Sequence, residues 1–170
     1  MEQHWYAIYT KHNAEKTLRE CITQYSRLNA LPYETFLPFR NEVKQWRDRT
    51  KVKKLPLFRN YLFVKHDDNA FHQIKTMKGF CDYVRFGLTP STIPAQQMAM
   101  IKKIAEFQTG EHCQTGQLVK GKKVKICRGT LAGFEGTLIE NQTKHSVAIE
   151  IKSLKLCLNV KMPADDVVCL

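Results

Sequence analysis

Glycine is the first residue type in this chain that could do chemistry. Residues 121–140 read GKKVKICRGTLAGFEGTLIE, and Gly129, Gly133 and Gly136 interrupt otherwise strand-like sequence. A glycine loop cradles phosphate when G-x-x-x-x-G-K-[ST] leads into a helix whose N-terminal dipole faces the anion. Here no Gly-Lys-Ser/Thr follows Gly133 or Gly136, and a strand-like segment comes next. Both the P-loop and the dinucleotide fingerprint therefore fail. The titratable groups are no more promising. Asp67-Asp68 and Asp165-Asp166 lack a companion histidine or a third carboxylate at useful spacing. His112 beside Cys113 lacks two further spaced metal ligands. No enzyme, catalytic residue, metal or cofactor is expected.

The remaining chemistry is charge and aromatic surface. The chain has 170 residues, a formal net charge of +11 and 43% hydrophobic residues. That describes folded protein and favours a polyanionic partner, nucleic acid before membrane, with plain solubility charge as the alternative. The first 110 residues carry a net +8 and the remainder +3, so the basic character lies mainly in the first part. Between Arg40 and Arg59 there are eight Lys/Arg against two acids. The opening MEQHWYAIYTKHNAEK has no basic region followed by an apolar core, and no apolar run approaches the roughly 20 residues of a membrane span. A cytoplasmic location is expected. The six cysteines form no C-x-x-C pair and read as small core hydrophobes.

Elements must position these groups. HWYAIYT reads as a first strand, and NAEKTLRECITQYSR as a helix with Asn13 as its N-cap and Ala14, Leu18, Ile22 and Tyr25 on one face. YETFLPFR is a strand. NEVKQWRDRTKVKKLPLF is a basic hairpin with RDRT at its tip. In YLFVKH, alternation puts Tyr61 and Phe63 on one face and Leu62 and Val64 on the other. A short helix ending near Gly79, the strand CDYVRFG and a helix entered through Pro94 complete the first part. QTGEHCQTGQ reads as a linker. Beyond it KVKI, GTLIE, HSVAIEI, LKLCLNV and DVVCL suggest a small five-stranded barrel. In that barrel Val147, Ile149, Ile151, Leu156, Leu158 and Val160 alternate as strand residues do. The expected class is α+β: an α/β sandwich over residues 1–107, a linker over 108–117 and a β-barrel over 118–170.

The glycines fit the barrel better than a phosphate loop, as tight turns and close backbone approaches. The run Gly121, Val124, Ile126, Gly129, Gly133, Phe134, Gly136 and Leu138 resembles the KOW motif. KOW barrels occur in ribosomal proteins and in transcription elongation factors of the NusG family. The first domain distinguishes these. WYAIYTKHNAEKTLRE, LPLFRNYLFVKHD and GFCDYVRFGLTPSTIP resemble, in order, the opening strand and helix, the Tyr-Leu-Phe-Val segment and the Phe-Gly-x-x-Pro segment of the NusG N-terminal domain. PLFxNYLFV and YVRFG look most like specialised paralogues of that family, the RfaH-like and UpxY-type capsule-operon antiterminators. Arg59 departs from the proline that the family usually has there. The basic arm from Lys44 to Lys54 is a second departure.

Strands apolar on both faces in so small a domain leave aromatic area for a partner. Tyr9, Phe58, Tyr61, Phe63 and Phe86 are candidates, with ordinary core as the alternative, and Met98 borders them. The resemblance implies that these positions contact the clamp helices of RNA polymerase. It also implies that Lys11, His12, Arg19, Gln24, Lys75 and Lys78 touch non-template DNA in the transcription bubble. The factor would then suppress pausing and termination, at particular operons such as those for capsular or surface polysaccharide. The KOW barrel would recruit a small-subunit ribosomal protein or Rho. The alternatives are a general elongation factor of the same family and a ribosome-associated KOW protein that binds RNA. The basic hairpin would reach either the opposite jaw of the polymerase or upstream DNA.

Overall fold

Antiparallel pairing of two short strands organises the first part of the chain. The computed structural model describes residues 2–45, 49–107, 113–116, 121–139, 146–154 and 156–170. The elements run β1 (His4–Thr10), α1 (Glu15–Leu28), β2 (Glu34–Phe36), β3 (Phe39–Gln45), β4 (Thr50–Pro56), β5 (Tyr61–His66) and α2 (Ala70–Lys75). Then come β6 (Phe80–Tyr83), β7 (Arg85–Phe86), β8 (Thr89–Pro90), β9 (Thr92–Ile93) and α3 (Ala95–Phe107). The last part holds β10 (Cys113–Gly116), β11 (Lys123–Ile126), β12 (Glu135–Ile139), β13 (Ser146–Ile151), β14 (Leu156–Lys161) and β15 (Val167–Cys169). The chain divides into two compact units, Met1–Pro38 with Phe58–Met98, and Phe39–Leu57 with Ala99–Leu170.

In the first unit the sheet order is β2-β5-β1-β6, with β9 also pairing β1. The β1–β5 register runs from His4 opposite His66 to Tyr9 opposite Tyr61. Paired residues share a face, so Tyr6, Ile8, Leu62 and Val64 lie on one side and Ala7 and Phe63 on the other. All six are buried. Leu18 and Ile22 of α1 and Ala70 and Ile74 of α2 are buried as well. Sequence periodicity found these helices, but two details differ. Asn13 is not the cap of α1: it holds a left-handed φ of 56° in the preceding turn, and Ala14 occupies the cap position. YETFLPFR is two strands, because Pro38 lies between β2 and β3 and brings no N–H to a ladder.

The turn from Leu57 to Asn60 is fixed from a distance. Asn60 has a φ of 64°, and its N–H donates to Oε1 of the buried Glu15 at 2.7 Å. Arg59 therefore sits in a turn held by a helix carboxylate.

A polar residue lies at the centre of the aromatic core. His66 is fully buried, stacked on Tyr6 at 4.7 Å between ring centroids and flanked edge-on by Phe71 at 5.0 Å. Its Nδ1 lies 2.6 Å from the Asp67 carbonyl, which can only accept, so Nδ1 carries the proton. Nε2 then accepts from the Tyr83 hydroxyl at 3.1 Å. Burial pushes the His66 imidazole below its ordinary pKa and pushes the Tyr83 phenol up. Tyr6, which donates to Asp68 at 3.0 Å, is raised to about 12, first by burial and then by that hydrogen bond.

In the second unit β3 and β4 form their own two-stranded sheet. The remaining strands form an antiparallel sheet in the order β10-β14-β13-β12-β11-β15. Five of these strands match the segments read from sequence. The sixth, β10, falls in the stretch read as linker and pairs Cys113–Gly116 with Val160–Cys157 of β14. Val147, Ile149, Ile151, Leu158 and Val160 are buried as strand residues. The turn after β11 carries the KOW glycines. Gly133 has a φ of 90°, and its N–H donates to the Ile126 carbonyl at 2.7 Å. Gly136 serves close approach: a Cβ there would lie 2.5 Å from Val147 and 2.7 Å from the Ala148 carbonyl. Among the described cysteines only Cys157 is buried, Cys21 is half-buried, and Cys81, Cys127 and Cys169 are exposed, so the reading of all as core residues fails. No helix of the described residues is long and apolar enough to cross a membrane.

Two outcomes follow from this packing. Because the folded state holds His66 below its unfolded value of about 6.5, its contribution to stability is full above that pH. The contribution is lost as the pH falls towards the folded value, with a slope of at most about 1.4 kcal/mol per pH unit. Denaturant titrations at a series of pH values will show this acid-side slope reduced in His66→Gln. In the second unit, Gly136→Ala will cost about 2 kcal/mol through overpacking against backbone. This will be read as roughly thirtyfold faster amide exchange in β12 and β13.

Candidate functional site

The end of β1 carries the exposed aromatic surface of the first unit. Tyr9 is 39% exposed and Tyr61, opposite it, is nearly buried. Their rings lie 4.6 Å apart at 43°, and the Tyr61 hydroxyl donates to that of Tyr9 at 2.7 Å. Burial first, and then this hydrogen bond, raises the pKa of Tyr61. On its other side Tyr9 faces Asp82, whose Oδ1 takes the Arg85 guanidinium at 2.6 Å and the Tyr83 N–H at 2.8 Å. Arg85 opens the β7–β8 hairpin. There Phe86 is 44% exposed and Leu88, at the tip, 93% exposed.

The six residues read as a partner surface thus separate by burial. Tyr9 and Phe86 present area, and Tyr61 supports Tyr9 from below. Phe58, Phe63 and Met98 are buried and belong to the core. Phe63 meets Phe58 edge-on at 5.7 Å and Phe36 at 6.3 Å. Burial on both faces of β5 is the physical reason that these rings cannot act as anchors on the surface. Leu88 was missed in the sequence. The signal was there, since a leucine directly after Gly87 in a tight Phe-Gly-Leu-Thr-Pro turn has no strand face to be buried on.

The six polar residues separate into two concavities. Lys11 and His12, just past β1, line a pocket of about 560 Å³ with Asn13, Thr17, Lys75 and Lys78. The Lys11 N–H donates to the Gly79 carbonyl at 2.9 Å, which ties the end of β1 to the turn before β6. Lys11 and His12 are thereby gathered around one cavity with Lys75 and Lys78, more than 60 positions away in sequence. The second concavity, about 570 Å³, is lined by Arg19, Glu20, Thr23, Gln24 and Arg27 of α1 with Thr35 of β2. Arg19, Thr23 and Arg27 recur every four residues, and so form one polar stripe on α1. Leu18 and Ile22 lie buried on the opposite face. Glu20 makes this concavity less basic than the first. Among the described residues no three His, Cys, Asp or Glu side chains cluster as metal ligands would. The geometry offers an aromatic rim beside a basic hollow.

Comparison with known proteins gives a consistent result. A family model described as "Transcription termination factor nusG" matches residues 3–102. The structure is similar to that of NusG from Thermotoga maritima, titled for its domain interaction, with a TM-score of 0.67 at 20% identity, over 98% of this chain and 97% of that one. The MjSpt4:Spt5 complex in its conformation A aligns over 98% of this chain and 97% of that one, at 15% identity and a TM-score of 0.36. The α+β order of a sheet with three helices followed by an antiparallel sheet is that of a NusG N-terminal domain and a KOW domain. The chain belongs to the NusG family, a non-enzymatic family of transcription factors that bind RNA polymerase.

Proposed function

We propose that this chain is an antitermination factor acting in the cytoplasm at a restricted set of operons. In this reading residues 1–107 are the polymerase-binding domain, 108–117 the linker and 118–170 the KOW domain. Tyr9 and Phe86, with Tyr61 beneath Tyr9, dock on the clamp helices of RNA polymerase. Lys11, His12, Lys75 and Lys78 take phosphates of the non-template strand, and Arg19 and Gln24 extend that contact along α1. The factor bridges clamp and nucleic acid, and so disfavours pausing and termination without covalent chemistry. The KOW domain recruits a small-subunit ribosomal protein or Rho. The observation that carries the proposal is the adjacency of Tyr9 and Lys11 at the end of one strand. It puts an aromatic anchor and a basic hollow side by side on the first unit. Restriction to particular operons rests on the likeness of PLFRNYLFV and YVRFG to the specialised paralogues. A strain lacking the protein will lose expression of one or a few long operons, whereas loss across all of them would make it a general factor.

Buried aromatic anchors at interfaces each contribute about 1–2 kcal/mol. Tyr9→Ala/Phe86→Ala will therefore weaken binding to core RNA polymerase at least about tenfold and leave the circular dichroism spectrum unchanged. Phe63→Ala serves as the contrast: it will cost about 3–5 kcal/mol of stability as a core truncation. Unchanged polymerase affinity in the double variant would sink the clamp reading. Each lysine that neutralises a phosphate of single-stranded DNA adds about 0.7 to the salt slope. Lys11→Gln/Lys75→Gln/Lys78→Gln will accordingly lower the slope of log affinity against log salt by about 2, measured by fluorescence anisotropy. An unchanged slope would remove the basic hollow from the DNA path.

A further inference from the structure

We infer that Leu88, at the tip of the β7–β8 hairpin, is a knob that enters an apolar hole between two packed helices of RNA polymerase. This contact rests on the clamp reading above and adds to it one residue and one shape of partner. A lone exposed leucine means little on a protein surface. Leu88 is not alone in that sense. It is the most exposed of the large apolar side chains described, and Phe86 on the same hairpin and Tyr9 on β1 are exposed with it.

The hairpin is held at its base. β6 pairs with Ile8–Thr10 of β1, and β9 pairs with Trp5 and Tyr6 of the same strand. The chain therefore leaves β1 and returns to it, with β7 and β8 in between. The Val84 N–H donates to the Ala7 carbonyl at 2.9 Å, and the Ser91 N–H to the Val84 carbonyl at 3.0 Å. Val84 and Ile93, on either side of the hairpin, are buried. Arg85 opposite Pro90 and Phe86 opposite Thr89 leave Gly87 and Leu88 as a two-residue turn. Gly87 supplies the positive φ, 79°, that such turns take at their first central position. Leu88 thus contributes no packing to the fold, yet sits on backbone that the fold has already ordered. Ordering a loop on association costs affinity, and here most of that ordering precedes binding.

The shape of the tip identifies the partner. Gly87 has no side chain, and a Cβ built on it would meet nothing within 4 Å. Thr89, on the other side, is polar and exposed. The tip therefore presents one apolar side chain standing by itself. A flat surface would cover only one side of it, whereas a hole closes around it. Packed helices offer holes of this size at regular spacing, and leucine is a common knob for them. The charges nearest in sequence, Asp82 and Arg85, pair with each other at 2.6 Å and so cancel. Nothing in the hairpin favours an anionic partner. Polymerase is the partner of this family, and the clamp helices are the paired helices that the hole requires.

The test uses the full chain and core RNA polymerase at two salt concentrations. Leu88→Ala will weaken binding about tenfold, and by the same factor at both salts, because an apolar contact is not screened. Leu88→Met, which nearly conserves the volume, will lose less than Leu88→Ala does. Thermal midpoints of both variants will match that of the native chain, since the side chain is exposed. Benzoylphenylalanine in place of Leu88 will crosslink on irradiation to helical residues of the clamp. Unchanged affinity in Leu88→Ala, with binding weakened in Tyr9→Ala/Phe86→Ala, overturns the knob and leaves the clamp reading standing. Weakened binding in Leu88→Ala, with Tyr9→Ala/Phe86→Ala unaffected, supports the knob and removes the aromatic anchors. Unchanged affinity in both overturns both. A loss that shrinks at the higher salt, or a crosslink to an irregular loop of the polymerase, overturns the helix-hole assignment.

Discussion

The pairing of β1 with β5 is the constraint on which the first unit depends. One register, His4 opposite His66 through Tyr9 opposite Tyr61, decides the surroundings of every aromatic residue in the sheet. A slip of one residue would exchange the two faces of β5. His66 would then leave its Tyr6 and Tyr83 partners, and Phe63 would leave Phe58 and Phe36. Neither face tolerates the exchange, because one is built around a polar network and the other around rings alone. The same register places Tyr61 under Tyr9, and so sets how much of Tyr9 meets solvent.

Much of this architecture was legible in the sequence, because the signals were local. Alternation in YLFVKH assigned Tyr61 and Phe63 to one face correctly. Five of the strands of the last part carry enough β-branched residues to be recognised one by one. The glycines of the KOW motif declared a turn and excluded a phosphate loop, and Gly136 beside Val147 gives the steric reason. β10 escaped because CQTG has no apolar period; its place comes from backbone bonds to β14 along a sheet edge.

The candidate site was legible by type and not by exposure. Tyr9 and Phe63 are both aromatic residues on strands, and nothing local separates them. Phe63 is enclosed by rings from two other segments, whereas Tyr9 sits where the strand is about to end. Lys11 and Lys78 could each be marked as basic, but the β1–β6 pairing and the Lys11–Gly79 backbone bond make them neighbours. His66 was not singled out at all, because a histidine at the end of an apolar run resembles a strand terminus until Tyr83 is brought back against it.

The β3–β4 hairpin interrupts the chain between two strands that must meet. β2 and β5 are paired neighbours, yet the whole β3–β4 segment lies between them in sequence. The cost of closing such an excursion grows only with the logarithm of its length, about 0.6 kcal/mol for each doubling. With both of its ends fixed by β2 and by the Glu15-held turn at Asn60, the excursion can be lengthened, shortened or recharged while the sheet keeps its register. The segment is thus an evolutionary cassette. A lineage could change what the chain presents here by rewriting fewer than 20 consecutive residues, Phe39 to Pro56, and leave the sheet that presents Tyr9 unaltered.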